Sequence, residues 1–299
     1  MINSIMTFRW KEFFLHRFQL MRLANVFTAI ADVLAGYLIV AGANIRFSVL
    51  LSLIFSSAAI YAGGCVLNDI CDYQIDFIER PERPLPAGKV SIPEAVIIVT
   101  VLFVAALITA TIAGSAALLT AVILIVLVLS YDLVTKDMVF FGSLNMGACR
   151  ALNLLLGMSP LLIWDWFLIF PLISLVYIFL LTSLSNFETG GSLGEIKWPL
   201  ACGFIVLFTC LVGVAVKSAA VFTGLLLIVV MATYVLPFLG RALTNSEPVF
   251  VGAAVKRLLL AIPLLDAFYV STARGLLYGI PVLLCLLPAR WLAKKLAMT

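Results

Sequence analysis

Eight apolar runs of about twenty residues each, and a ninth apolar region that divides, take up most of this chain. They lie over 23–42, 46–67, 92–113, 116–131, 139–158, 163–182, 198–216 and 219–240, with the last region at 257–272 and 275–289. A helix needs about 20 apolar residues to cross the hydrocarbon core of a bilayer. Within lipid, backbone N–H and C=O groups must be satisfied inside a helix or around a closed barrel, and these runs are longer than barrel strands. The expected fold is therefore all-α, a polytopic transmembrane helical bundle of about nine spans. Its last region gives one span plus a half-span, or two short spans. Residues 1–22 read as a separate amphipathic, basic segment and 23–299 as a single transmembrane domain. At 64% hydrophobic and 11% charged residues, the chain departs from the about 45–50% and 25% of soluble domains. The runs are too many for a signal peptide to explain.

The rarer residues exclude several chemistries. His16 is the one histidine, so a histidine-based triad or zinc site is not expected. The six cysteines (65, 71, 149, 202, 210, 285) show no CxxC spacing and read as packed thiols. The net charge of +4 reflects basic loops, not a nucleic-acid surface. Arg9, Lys11, Arg17 and Arg22 alternate with aromatic residues in the first segment, as in an interfacial helix on membrane lipid. Loops after the second, fourth, sixth and eighth spans share a side with that segment and carry most of the loop Lys and Arg. That side is expected to be cytoplasmic, in a bacterial inner or plasma membrane. Arg22, Lys136 and Glu188 then gather at one membrane face with an acidic stretch that ends the second span.

That stretch is Asn68-Asp69-Ile70-Cys71-Asp72-Tyr73-Gln74-Ile75-Asp76. On a helix Asn68, Asp72 and Asp76 recur every four residues and share one face, and Asp69 is i,i+3 to Asp72. Like charges so spaced repel by a few tenths of a kcal/mol per pair. Hard oxygen donors without His or thiolate suit Mg²⁺ completed by water and phosphate. A solvated acidic helix end is the other reading. The chain holds only 15 Asp and Glu, and their concentration here, with Arg80 and Arg83 following, favours the metal–phosphate reading. Polar groups within the spans add a second question. Asp32 and Asp266 belong in the bundle interior, and Arg150 within a span either binds an anion or pairs with those carboxylates. Small residues from Gly142 to Ala151 allow tight helix packing.

The pattern Asn68-Asp69-x-x-Asp72-x-x-x-Asp76, followed by Arg80-Pro-x-Arg83-Pro-Leu-Pro-x-Gly88, resembles the first aspartate-rich motif of the UbiA superfamily of intramembrane prenyltransferases. The resemblance implies a helical membrane enzyme that binds an isoprenoid diphosphate through Mg²⁺ and moves the prenyl group to a lipophilic or aromatic acceptor. It makes Asn68, Asp69, Asp72, Asp76 and Glu188 the metal-ligand candidates, with Asp72, Asp76 and Glu188 catalytic. Arg22, Asn25, Arg80, Lys136, Asn145 and Arg150 become substrate-binding candidates, Lys136 being similar to the family's phosphate-binding loop lysine. The family's second aspartate-rich motif has as its counterpart Ser185-Asn186-Phe187-Glu188-Thr189-Gly190-Gly191, which lacks aspartate. The overall pattern resembles a divergent branch, the EboC-like proteins, through Leu20-Met-Arg22-Leu-Ala-Asn25, the Asn145-to-Asn153 segment and the chain's last residues. The thin second motif keeps open a non-catalytic protein that binds or moves an isoprenoid-linked metabolite.

Overall fold

A computed structural model describes residues 12–161, 166–188 and 193–296. Nine helices among the described residues are long and apolar enough to cross a membrane. The crossing elements are α1 (Leu23–Ala41), α2 (Phe47–Cys71), α4 (Ile92–Ala113), α5 (Ser115–Ser130), α6 (Val139–Met158), α7 (Ile169–Ser185), α8 (Lys197–Lys217), α9 (Val221–Asn245) and α10 (Pro248–Arg274). A short helix, α3 (Tyr73–Glu79), follows α2, and α11 (Leu276–Leu284) and α12 (Leu286–Leu296) follow α10. The all-α polytopic expectation holds.

The divided last region resolves as one span plus short helices. α10 begins with Pro248 at its first turn, runs through Pro263, and ends where Gly275 adopts φ 96. A glycine there carries no Cβ to strain a positive φ. Arg241 and Lys256, which fall between the runs 219–240 and 257–272, therefore lie inside α9 and α10, and Arg257 lies a further residue into α10. The Arg257 guanidinium stays near the bundle by covering the rings of Tyr234 and Phe238, at 4.7 and 4.3 Å from their centroids. Residues 12–20 are helical as expected; residues 1–11, with Arg9 and Lys11, lie outside the described residues.

α1 is the axis of the bundle. Two-thirds of its apolar window (67%) is buried, against 22% for α4, which shows its side chains to lipid. Ala31, Ala35 and Leu38 of α1 join a core with α6 to α10, and Val33, Tyr37 and Ala41 join another with α2, α4 and α5. In lipid no hydrophobic force drives helices together, so close van der Waals packing must do so. The small residues of α6 supply it. A Cβ on Gly157 would collide with the Val33 carbonyl, one on Gly36 with the Leu154 carbonyl, and one on Gly147 would lie 2.6 Å from the Leu175 carbonyl. α6 is thus seated tightly against α1 and α7. At the other end, Arg274 donates from Nε to the Ile39 carbonyl at 2.7 Å and from Nη2 to Val40 at 3.2 Å. It so caps the carbonyls that α1 leaves unpaired.

Candidate functional site

The acidic stretch keeps its helical path across a break. α2 ends at Cys71 and Asp72 has φ −87 and ψ 4, yet Asp72 N donates to Asn68 O (2.9 Å) and Asp76 N to Asp72 O (2.8 Å). The shared face predicted for Asn68, Asp72 and Asp76 therefore persists. Their side chains take separate partners. Asn68 Nδ2 donates to Asp132 Oδ1 at 3.1 Å, Lys136 Nζ pairs with Asp72, and Arg83 Nη1 donates to Asp76 Oδ2 at 2.6 Å. Asp69 Oδ1 accepts from Arg22 Nη2 at 2.6 Å and from Arg83 Nη1 at 3.4 Å. Asp69 and Asp76 are buried, 5% and 3% exposed. Ion pairing is what makes carboxylates tolerable at that burial.

Three local devices set these bases in place. Arg22 sits in the left-handed region (φ 47, ψ 47), joining the helical segment 12–20 to α1. A non-glycine residue seldom adopts this conformation, at a cost of order 1 kcal/mol, and here the side chain reaches Asp69. Arg83 is held by its turn. Arg83 N donates to Arg80 O (3.1 Å), Ala87 N to Arg83 O (2.9 Å), and Leu85 is buried against Leu20, Val66, Val90, Ala95 and Val99. The Pro84-Leu85-Pro86 sequence thus anchors the loop by one apolar residue and leaves Arg83 aimed at the acids. Lys136 follows a π-helical turn, Tyr131–Thr135, closed by Lys136 N donating to Tyr131 O at 2.9 Å. Such turns are rare and concentrate at functional sites. Burial works against the Lys136 charge, but Asp72 more than offsets it, so its pKa lies above the ordinary lysine value.

The remaining candidates fall in different places. Asn145 is buried and bonds Thr135 Oγ1 at 3.0 Å; with its amide turned it also donates to Leu127 O (3.1 Å) and accepts from Tyr131 N (3.2 Å). It fastens the π turn that presents Asp132 and Lys136. Asn25 lies in the first turn of α1, half-buried, and its carbonyl accepts from Thr28 Oγ1 at 2.8 Å. Arg80 is exposed. Glu188 is half-buried; burial raises its carboxyl pKa, with Arg80 pulling the other way. The Glu188 side chain lies beside Gly252 of α10; Thr189, Gly190 and Gly191 lie outside the described residues. Arg150 is not at this end. It pairs with Asp32 at 2.6 Å, so the ion-pair reading holds and the anion-binding one is set aside.

Arg83 and Asp132 are site residues that sequence reasoning did not select. Arg83 was visible as the second arginine of the Arg80-to-Gly88 turn, and Asp132 as a carboxylate closing an apolar run four residues before Lys136. In this conformation no three His, Cys, Asp or Glu among the described residues converge to hold an ion. The donors nonetheless have the right chemistry. Asn68, Asp69, Asp72, Asp76 and Asp132 offer only oxygen ligands, and each aspartate oxygen turned to a base is one that a divalent cation could take when an anionic ligand draws the base away.

Residues 29–189 match the UbiA prenyltransferase family. Over 221 residues the chain is 26% identical to a digeranylgeranylglyceryl phosphate synthase of Sulfurisphaera tokodaii, covering 74% of this chain and 77% of that protein. A synthase of the same name from Methanoculleus marisnigri is 44% identical over 87 residues, 29% of this chain and 30% of that protein. Among solved structures, one described as digeranylgeranylglyceryl phosphate synthase in membranes matches with a TM-score of 0.63 at 20% identity, covering 88% of this chain and 99% of that one. A UbiA homolog from Archaeoglobus fulgidus bound to GPP and Mg²⁺ matches with a TM-score of 0.53 at 13% identity, covering 89% of this chain and 99% of that one. At these identities the structural likeness is one of fold.

Proposed function

The chain belongs to the UbiA prenyltransferase family, and on that premise we propose that it moves an isoprenoid group from a prenyl diphosphate to a glycerophosphate-type lipid acceptor. The observation that carries the reading is the interleaving of acids and bases at one bundle end, where Arg22, Arg83 and Lys136 meet Asp69, Asp72 and Asp76. A diphosphate and a divalent cation each find their complement there. Asn68, Asp72 and Asp76, with Asp69 beside them and Glu188 as a further candidate, are the residues that would hold Mg²⁺. Bound there, the ion supplies charge that stabilises the departing pyrophosphate. Lys136 and Arg83 are set to turn from their carboxylates to phosphate oxygens, where their charge counts most as the leaving group develops its own. The apolar interior behind them keeps water from an allylic cation.

The glycerophosphate acceptor rests on the names of the relatives, which are synthases of digeranylgeranylglyceryl phosphate. An aromatic acceptor has no comparable support. The site end carries Arg17, Arg22, Arg80, Arg83, Lys89 and Lys136, and the positive-inside rule assigns it to the cytoplasm. The test is to supply membranes containing the protein with a labelled prenyl diphosphate, Mg²⁺ and either a glycerophosphate-type lipid or a hydroxylated aromatic acid. Label should enter the glycerophosphate lipid. Label entering only the aromatic compound would replace the acceptor, and binding without transfer to any acceptor would favour a non-catalytic carrier.

A further inference from the structure

A second charged cluster lies deep in the bundle and takes no part in the site described above. Asp32 of α1 and Asp266 of α10 are each 1% exposed, and Arg150 of α6 reaches both. Its Nε lies 2.6 Å from Asp32 Oδ2, and its Nη2 lies 3.7 Å from Asp266 Oδ2. Asn153 Nδ2 donates to Asp32 Oδ2 at 3.0 Å and to the Ala29 carbonyl at 2.9 Å, and Ser57 Oγ donates to Asn153 Oδ1 at 2.7 Å. Ten residues of α1 separate Asp32 from Arg22, about 15 Å at 1.5 Å per residue. The cluster therefore sits in the hydrocarbon interior.

Its charges and hydrogen bonds do not close as drawn. Two carboxylates face one guanidinium. Both carboxyls converge on the same guanidinium, yet Asp32 Oδ1 and Asp266 Oδ2 have no donor among the described residues. The gap beside Asp266, bordered by Arg150, Ser174 and Tyr177, is too tight for a water molecule. The two hydroxyls that border it are committed elsewhere. Tyr177 donates to the Leu258 carbonyl at 2.7 Å, and Ser174 donates to the Tyr269 hydroxyl at 3.1 Å. An uncompensated carboxylate is costly in this medium, and two that share a site do not both ionise.

We propose that Asp32, Asp266 and Arg150 form a proton-binding site that holds one proton between the two carboxyls, leaving the cluster without net charge. Asp32 keeps the negative charge, because its Oδ2 already takes two donors, Arg150 Nε and Asn153 Nδ2. Asp266 is the protonated partner, and its O–H supplies the donor that Asp32 lacks. The groups that face the cluster from neighbouring elements are Tyr61 of α2, Tyr177 of α7, Tyr269 of α10 and Cys285 beyond α11. All are neutral near pH 7, so none supplies a competing charge. The site joins α1, α6 and α10 by directional bonds where apolar packing has none. The folded protein then binds one proton more than the unfolded chain near neutrality, and its stability falls as pH rises.

Infrared spectroscopy of the protein in lipid nanodiscs tests this at the carbonyl stretch of protonated carboxylic acids. The parent-minus-variant spectrum should show such a band lost in Asp266→Asn at neutral pH. That variant keeps the cluster neutral without taking up a proton, so its unfolding temperature should equal or exceed the parent's at neutral pH and should not share the parent's decline as pH rises. Asp32→Asn serves if Asp266→Asn does not fold. It leaves Arg150 a single carboxylate and should lose the same band. A difference spectrum with no protonated-acid band for either variant would overturn the proposal, as would a parent whose stability does not decline with pH.

Discussion

The two charged clusters use the same side chains to opposite ends. At the bundle end, three bases meet a row of acids, and one pair is partly hydrated: the Lys136 and Asp72 side chains are 17% and 24% exposed, while Asp69 and Asp76 are buried against Arg22 and Arg83. In the interior, one base, its side chain 12% exposed, meets two acids that are each 1% exposed and have no spare donor. A hydrated pair such as Lys136 and Asp72 contributes little to stability, and each partner can be drawn off by a ligand. The interior pairs cannot be broken without stranding a charge in low dielectric. Hydration, more than residue identity, decides whether such a cluster can serve as a binding site or as a fastening.

Substitutions at the two places should therefore separate cleanly. The largest effect is expected for Arg150→Leu, which leaves Asp32 and Asp266 without a cation. A loss of about 3–5 kcal/mol of stability is expected, read as a lower unfolding temperature in detergent. Asp72→Asn should do the reverse. It should change stability by less than about 1 kcal/mol while lowering transfer on the order of 10²-fold, measured as initial rates on equal amounts of folded protein. An Asp72 variant that unfolds, or an Arg150 variant that stays folded, would erase the distinction. Glu188→Gln should reduce turnover about 10-fold and spare much of the diphosphate affinity, because its charge is needed chiefly as the leaving group departs. Equal turnover of the two proteins would remove Glu188 from the mechanism. Smallest is Ser91→Ala. Ser91 Oγ accepts from Glu94 N at 3.4 Å at the start of α4, and Glu94 accepts from Arg17 Nε at 2.7 Å. About 1 kcal/mol or less should be lost, with transfer intact, showing that the site end tolerates local loosening.

Much of this architecture was legible in the chain. Apolar run length alone predicts the spans, because lipid permits so few backbone solutions. The acidic face of Asn68, Asp72 and Asp76 follows from helical spacing, and it survives the break at Asp72 because the i,i+4 backbone bonds continue. What periodicity could not show is partner choice. Asn145 reads as a ligand-facing polar residue, and its bond to Thr135 secures a π turn, a backbone irregularity that no 3.6-residue pattern encodes. Arg150 offered two readings that sequence could not separate, since both place an arginine inside the bundle; only the approach of α1 and α10 to α6 decides between them. Arg83 and Asp132 were visible as residues, but their contacts were not, for a related reason. Each is positioned by a turn, through buried Leu85 in one case and the bond from Asn68 in the other.

The central claim is that the acid–base cluster at the bundle end ionises a prenyl diphosphate and passes the prenyl group on. The most direct measurement is pyrophosphate release and labelled product formation in the same tube, for the parent and Asp72→Asn, with Mg²⁺, a prenyl diphosphate and a glycerophosphate-type acceptor. Equal amounts of pyrophosphate and prenylated product from the parent, both falling on the order of 10²-fold in the variant, is the predicted result. A parent that binds prenyl diphosphates of several lengths and releases no pyrophosphate from any of them would contradict it.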